Sequence, residues 1–410
     1  MKIAIIGHGV VGSGVAETLL QKREELKVKT GVDLEVKYVL DLLEFPGLAI
    51  PVIHDFSIIE QDPEVSLVVE TMGGLSPAFE FASRSLRANK DYVTSNKELV
   101  AQKGAQLLKI AKEMGRNFLF EASVGGAIPV IRPIHQCLEA NSFSEVSGIL
   151  NGTTNFILER MIDDGAQFDD ALALAQKLGY AEKDPSADID GLDTCRKICI
   201  LASLAYGKHV YPKDIHIEGI RDINLIDVQY AASWDSRVIK LIGKSKINPE
   251  GKLAMIVCPM IVRRGSLLSS VNGVNNAVLV RGDLVGDIVL YGRGAGKYPT
   301  ASAVIADVID CAVHRGSRRE IYWEDSEEPA VTNYLDELTQ MYFRISIREK
   351  EDIDTVRAEF GNIRVLTRKN AAWSEFAFVT EEQMPEREII RKIARCGVLV
   401  DTMIRVESEI

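Results

Sequence analysis

KIAIIGHGVVGSGVAETLL, residues 2–20, decides the fold. An apolar run meets three glycines, Gly7, Gly9 and Gly12, in the spacing G-x-G-x-x-G, and an amphipathic stretch follows. That order predicts a short β-strand, a tight turn and a helix. The first glycine permits the turn, the second lets backbone approach a pyrophosphate, and the third lets the helix pack on the strand. Phosphate oxygens then meet the free N–H groups of the first helical turn, at Val10 and Val11, and the helix's positive end. Glycine turns match this spacing by chance. Here the strand before it and the helix after it supply the context that a dinucleotide site requires.

Outward from this turn, LEVKYVLD (residues 34–41) reads as a second strand ending in Asp41. It comes late because QKREELKVKTG (21–31) extends the first helix and its exit loop. An acid at that strand end suits the adenosine ribose hydroxyls, and DLLEF (41–45) offers no Arg or Lys for a 2′-phosphate. NAD is therefore favoured over NADP; the alternative is that Asp41 merely starts a turn. SLVVETMGG (66–74) ends a strand at Glu70, with Gly73 and Gly74 behind it. DYVTSNKELV (91–100) ends another at Thr94, with Ser95, Asn96 and Lys97 leading into a helix. Alternating β and α units imply an α/β fold with a parallel sheet whose strands gather ligands at their carboxyl ends. Lys97 occupies such an end, where a nicotinamide could lie.

The chain has 410 residues, enough for two or three domains, and a formal net charge of −11 with acids and bases scattered. That excludes a broad nucleic-acid or anionic-membrane surface. No apolar run approaches the roughly 20 residues of a membrane span, and the start lacks a signal-peptide layout. The six cysteines show no CxxC pairing, so a reduced, cytoplasmic home is expected. Cys137, Cys195, Cys199 and Cys258 lie in apolar or helical settings, unlike the nucleophile of an acyl-forming semialdehyde dehydrogenase. The histidines lack metal-ligand spacing.

From about Pro129 the pattern changes. EVSGILNGTTNFILERMI (145–162) is a strand, a polar turn and a helix. The turn's Asn, Gly and two Thr suit a carboxylate, or equally a helix cap made by Thr153 or Asn155. LGYAEKDPSADIDGLDTCRKICILASLAYG (178–207) gathers Glu182, Asp184, Asp188, Asp190 and Asp193 just ahead of Arg196 and Lys197. Asp190 with Asp193 approximates a capping arrangement. That explains Lys197 badly, because a cation near a helix N-terminus is unfavourable and this helix soon turns apolar. A buried lysine costs several kcal/mol unless it is paired or its pKa falls. Beside acids it can hold and donate a proton. Asp193 and Lys197 share one helix face, one turn apart.

GHGVVGSGV, TSNKELVA, GILNGTTNFIL and YAEKDPSADIDGLDTCRK together resemble homoserine dehydrogenase, as does YGRGAGKYPTASAVIADV (291–308), which returns to the cofactor domain. The resemblance implies reduction of L-aspartate 4-semialdehyde to L-homoserine with NADH or NADPH. It implies Lys197 as proton donor, Asp193 beside it, and Lys97 near the nicotinamide. Glu182 is implied at the substrate ammonium, with Asp188 in the same acidic pocket, and Gly152, Thr153 and Tyr180 also at the substrate. Gly179 and Gly294 match cofactor-proximal glycines. A monovalent cation, sodium or potassium, is implied at Glu121 and the carbonyls of Val124, Gly126 and Ile128. The family also implies a homodimer or homotetramer.

The resemblance yields three domains. An N-terminal Rossmann dinucleotide-binding domain covers residues 1–130 and is completed by 300–325. An α+β substrate and dimerisation domain covers 131–299. Residues 338–410, with four strands and the helix MPEREIIRKIARC (384–396), resemble a small α+β ACT domain, an amino-acid-binding regulatory module. There EKEDIDTVRAEFG (349–361) replaces the usual glycine-led loop and long helix. An amino-acid effector at this domain is therefore an open expectation, with dimerisation as the alternative.

Overall fold

The computed structural model describes all residues except 315, 316, 318–320, 326–328 and 408–410. Parts of the expected return segment, of the linker after it and of the C-terminal domain thus lie outside the described residues. The chain divides into two compact units. Met1–Phe143, Arg196–Lys213 and Arg281–Ala330 form the first; Ser144–Cys195, Asp214–Val280 and Val331–Ile410 form the second. The first unit therefore runs past the expected boundary at residue 130 and takes in two later segments.

In the first unit, β1 (Lys2–Ile6), β2 (Glu35–Leu40), β3 (Val52–Ile53), β4 (Val65–Glu70), β5 (Asp91–Thr94) and β6 (Phe118–Leu119) form one sheet in the order β3–β2–β1–β4–β5–β6. Every pair is parallel. This is the doubly wound order whose direction reverses beside β1, where dinucleotides bind. Ile3, Ala4, Ile5 and Ile6 are all wholly buried, as a strand covered by helices on both faces requires. The helix Val10–Gln21 follows the glycine turn, and the helix Lys97–Met114 starts at Asn96, whose side chain accepts the Leu99 N–H. The helix Lys297–Val313 lies along Val10–Gln21. A side chain at Gly14 would start 3.0 Å from the Lys297 carbonyl oxygen, and Lys297 pairs with Glu17 at 2.7 Å.

The second unit is built on a mixed sheet. Its strands are β7 (Phe143–Ile149), β8 (His216–Ile217), β9 (Val238–Ile247), β10 (Leu253–Val262) and β11 (Asn275–Gly282). After β12 (Gly286–Arg293), which belongs to the first unit, come β13 (Leu338–Ser346), β14 (Ile363–Leu366), β15 (Glu375–Thr380), β16 (Met384–Pro385) and β17 (Leu399–Val406). The order β11–β7–β9–β10–β17–β13–β15–β14 is continuous. β9 and β10 pair antiparallel over ten residues, from Leu253 opposite Ile247 to Val262 opposite Val238. The helix Gly152–Asp163 leaves β7 directly.

Apart from the two-residue β16, the C-terminal strands and the helices Glu351–Phe360 and Glu386–Cys396 have βαββαβ order, with β17, β13, β15 and β14 adjacent and antiparallel. Met341, Phe343, Val356, Phe378 and Ile389 pack between sheet and helices. The sequence reads this region as a separate domain. In the structure it joins the second unit, because β17 pairs parallel with β10 through Met260–Arg405 and Ile261–Val406. Among the described residues no helix is long and apolar enough to cross a membrane.

Candidate active site

The first unit presents a cradle at the carboxyl ends of β1, β2, β4 and β5. A side chain at Gly12 would start 1.9 Å from the Gly7 carbonyl oxygen, while nothing lies within 4 Å of one at Gly9. The turn is thus closed from below and open above, at the N-terminus of Val10–Gln21. The exposed Val10 and the half-buried Val11 open that helix, whose first N–H groups have no intrahelical acceptor. This fits a pyrophosphate. Thr71, which sequence reasoning missed, braces the turn from beneath by donating its hydroxyl to the Gly7 carbonyl at 2.8 Å.

Asp41 lies beside the turn. Its two carboxylate oxygens accept the His8 N–H at 2.7 Å and the Leu43 N–H at 3.0 Å. A carboxylate offers about four lone-pair sites, so two remain for ribose hydroxyls. Burial holds the His8 imidazole below its ordinary pKa, whereas Glu44, at 2.7 Å, and the Asp41 carbonyl raise that of His54. The exposed Gly73 and the half-buried Ser95 and Lys97 stand at the ends of β4 and β5, with Lys97 as the first residue of its helix.

Gly126, at φ +58°, packs backbone to backbone on Gly294; a side chain there would start 2.3 Å from the Gly294 oxygen. The Ala127 N–H donates to the Arg293 carbonyl at 3.0 Å. The cation-loop candidates Val124, Gly126 and Ile128 and the cofactor-proximal Gly294 are thus adjacent within one unit. Glu121 is buried (3% exposed). Its carboxylate accepts the N–H groups of Val130, Ile131 and Arg132 at 2.6, 2.8 and 2.9 Å. Among the described residues no group of three His, Cys, Asp or Glu could hold a metal ion, so a cation here would depend on carbonyl oxygens.

The second unit brings together Gly152, Thr153, Tyr180, Asp188 and Asp193. The organising residue is Asn151, at the end of β7, which sequence reasoning passed over as a cap in favour of Thr153 or Asn155. Its Oδ1 accepts the Thr154 N–H at 2.8 Å. Its Nδ2 donates to Asp188 at 2.7 Å and to Asp193 at 2.9 Å. The cap fixes which end of the amide faces the carboxylates, since the flipped amide would set its oxygen against two anions. Its signal in the sequence is an Asn three residues ahead of Thr154 at a strand–helix junction.

The hydroxyls expected to meet a substrate carboxylate are engaged internally. Thr153 donates to the Tyr180 carbonyl at 2.6 Å and Thr154 to the Asn151 carbonyl at 3.1 Å. Thr154 bonds back within its own first turn and Thr153 ties that turn to the Tyr180 loop, so the donors left to a carboxylate are the first-turn N–H groups of Gly152 and Thr153. Gly179, at φ +74°, lets the chain turn after the helix Phe168–Lys177. Tyr180 then packs edge-on to Phe156. Glu182 is exposed on the loop that follows. The Asp190 carboxylate, expected as part of a cap, pairs with Arg221.

One helix, Leu192–Tyr206, carries both Asp193 and Lys197, whose exposures are 2% and 7%. Their spacing is one helical turn, about 6 Å of rise. Arg196, next to Lys197, pairs with Glu98, next to Lys97, at 3.3 Å. The two lysine-bearing segments of the first unit are therefore neighbours. Cys258 is buried and its thiol is pushed up to about 12 by that burial, which makes it a poor nucleophile.

A family model described as homoserine dehydrogenase matches residues 129–309, and one described as homoserine dehydrogenase, NAD binding domain, matches residues 7–121. The homoserine dehydrogenase of Synechocystis sp. is 40% identical over 352 residues, 84% of this chain and 79% of that protein. The crystal structure of a homoserine dehydrogenase from Thiobacillus denitrificans superposes with a TM-score of 0.90 at 32% identity, covering 100% of this chain and 98% of that one. A hyperthermophilic archaeal homoserine dehydrogenase in complex with NADPH covers 75% of this chain and 96% of its own, with a TM-score of 0.64 at 27% identity. With an N-terminal nicotinamide-nucleotide cradle and an acid-rich second unit, the chain belongs to the homoserine dehydrogenase family and is an NAD(P)-dependent oxidoreductase of that activity.

Proposed function

We propose that Lys197 donates the proton that completes reduction of L-aspartate 4-semialdehyde, and that Asp193 positions it. Nicotinamide, when bound, supplies the hydride to the aldehyde carbon. The carbonyl oxygen becomes an alkoxide, and the Lys197 ammonium gives it a proton to form L-homoserine; the amine regains its proton from water. Burial beside a carboxylate suits lysine to this task. The observation that carries the reading is the Asn151 clamp, which presents two carboxylates on one side of an acid-lined site (2.7 and 2.9 Å). Asp188 and Glu182 receive the substrate ammonium, and the Gly152 and Thr153 N–H groups its carboxylate. Lys97, Ser95, Gly73, Gly179 and Gly294 attend the nucleotide.

Replacing Asn151 by Ala removes both amide donors and the cap. It is expected to lower kcat/KM for the semialdehyde about 10- to 100-fold while leaving the affinity for NADH unchanged. An unaltered kcat/KM in steady-state assays would remove the clamp from the proposal.

NAD is preferred over NADP, on the support of an acid at the ribose position whose carboxylate accepts backbone N–H groups and keeps lone pairs for ribose hydroxyls. Asp41→Ser should move the kcat/KM ratio toward NADPH by about tenfold or more. A ratio that stays put in parallel assays would assign Asp41 to the turn alone.

A monovalent cation is proposed at the carbonyls of Val124, Gly126 and Ile128, with Glu121 keeping about one lone-pair site beyond its three N–H donors. The C-terminal βαββαβ order supports an ACT-like module, and calorimetric titration with L-threonine tests it for an effector. Exposed Leu284, Val285 and Tyr291 support a homo-oligomer, which light scattering would measure.

A further inference from the structure

Glu70 closes β4 wholly buried, yet the reduction gives it no chemical step. It is the register partner of Ile6 on β1 and of Thr94 on β5, so it sits among the strand ends where a nucleotide is held. Its Oε1 accepts the Met72 N–H at 2.7 Å and its Oε2 the Thr94 hydroxyl at 2.6 Å. The Thr94 oxygen in turn accepts the Asn96 N–H at 2.9 Å. The Asn96 side chain donates to the Gly74 carbonyl at 2.6 Å and accepts the Leu99 N–H at 3.1 Å. These bonds form a circuit that starts and ends on the loop after β4 and passes through the turn after β5.

We infer that Glu70 is a positioning residue for the nucleotide, holding the loop 71–74 and the turn 95–97 in one register through Thr94 and Asn96. The inference rests on the proposed placement of Gly73, Ser95 and Lys97 at the cofactor. It is independent of which residue donates the proton.

The polarity of the circuit explains why an acid stands there. A carboxylate only accepts, and Met72 N–H and Thr94 O–H both need an acceptor. Glutamine would keep one carbonyl oxygen and turn its NH2 against the other donor. A carboxyl buried beside the neutral, equally buried Tyr92 is costly as a mere core residue; burial pushes Glu70 up to about 7. Assays at pH 8.5 therefore examine the ionised form.

Full-length wild type, Glu70→Gln, Thr94→Val and Thr94→Ser are titrated with NADH by fluorescence, without amino-acid substrate, and then assayed for turnover. In Glu70→Gln and Thr94→Val the Kd and KM for NADH are expected to rise about tenfold or more. At saturating NADH kcat should hold within about threefold, and Thr94→Ser should restore wild-type affinity. NADH affinity unchanged in both weakened variants would overturn the inference. So would Thr94→Ser binding as poorly as Thr94→Val. If Glu70→Gln does not fold, the two Thr94 variants decide the matter alone.

Discussion

Lys197→Ala is expected to lower kcat for semialdehyde reduction by about 10³-fold, within the 10²- to 10⁴-fold span of a positioned general acid. Affinity for NADH should stay as in wild type, because the proposed pyrophosphate site lies at Gly7–Gly12 and the strand ends, not at Lys197. The apo protein should fold but melt somewhat lower, since the substitution leaves the buried Asp193 carboxylate (2% exposed) without a neighbouring positive charge. Lys197→Arg separates proton transfer from simple charge. Arginine keeps the positive charge but holds its proton too tightly to release it near neutral pH, so it should be nearly as slow as alanine. An arginine variant with more than about a tenth of wild-type kcat would make Lys197 an electrostatic stabiliser, since loss of a proton donor costs at least 10²-fold. Asp193→Asn should fall between wild type and Lys197→Ala, keeping a polar partner on the same helix face but removing the carboxylate. Rapid mixing of enzyme, NADH and semialdehyde with detection at 340 nm would distinguish slow chemistry from slow product release.

The residues that were legible in the sequence are those whose role is local. The glycine turn, the strand ends at Glu70 and Thr94, and the helix beginning at Lys97 each follow from apolar runs, turn residues and caps within a few positions. Asp193 and Lys197 were legible because helical periodicity alone sets them on one face. Residues whose partners are distant were not. Asn151 meets Asp188 and Asp193 across 37 and 42 residues, and no periodicity links them. Glu121 spends its lone pairs on N–H groups nine to eleven residues away, where the resemblance offered only a cation ligand. The C-terminal strands were readable one by one. Their continuity with β10 was not, because strand pairing over some 145 residues leaves no mark on either strand (Met260 with Arg405). The same holds for the ion pairs that key this region to the rest of its unit.

Those ion pairs give the largest expected effect on stability. Asp227, on the helix Leu225–Ser233, is wholly buried. Its carboxylate accepts two N–H groups of Arg344 at 2.8 and 3.1 Å, the Tyr342 hydroxyl at 2.8 Å and the Thr402 hydroxyl at 3.1 Å. Arg344 and Tyr342 lie on β13 and Thr402 on β17, so one side chain ties the helix to two C-terminal strands. Burial, then the carboxylate itself, push the Tyr342 hydroxyl upward in pKa, which keeps it a donor. Asp227→Ala leaves the mostly buried Arg344 guanidinium with only the more distant Asp401 carboxylate, at 3.6 Å, as counter-charge, at a cost of up to about 3–5 kcal/mol. For a unit of this size that lowers the melting midpoint by on the order of 10 °C. Arg344→Met alone should be comparably damaging, because it strands the carboxylate. The double variant Asp227→Ala with Arg344→Met removes both charges and should be less destabilised than the sum of the two single ones, since removing a buried pair together leaves no stranded charge. The double-mutant cycle by calorimetry reads this directly; simple additivity, or a single variant melting with wild type, would refute the ion-pair account. Deletion from Val331 onward goes further. It removes β17 from the edge of β10, exposing unpaired backbone beside a buried apolar strand, and such an edge drives association between chains. The truncated chain is expected in the insoluble fraction, whereas the Asp227 variants remain folded and active at 25 °C. The C-terminal region is in that sense part of the framework of the second unit.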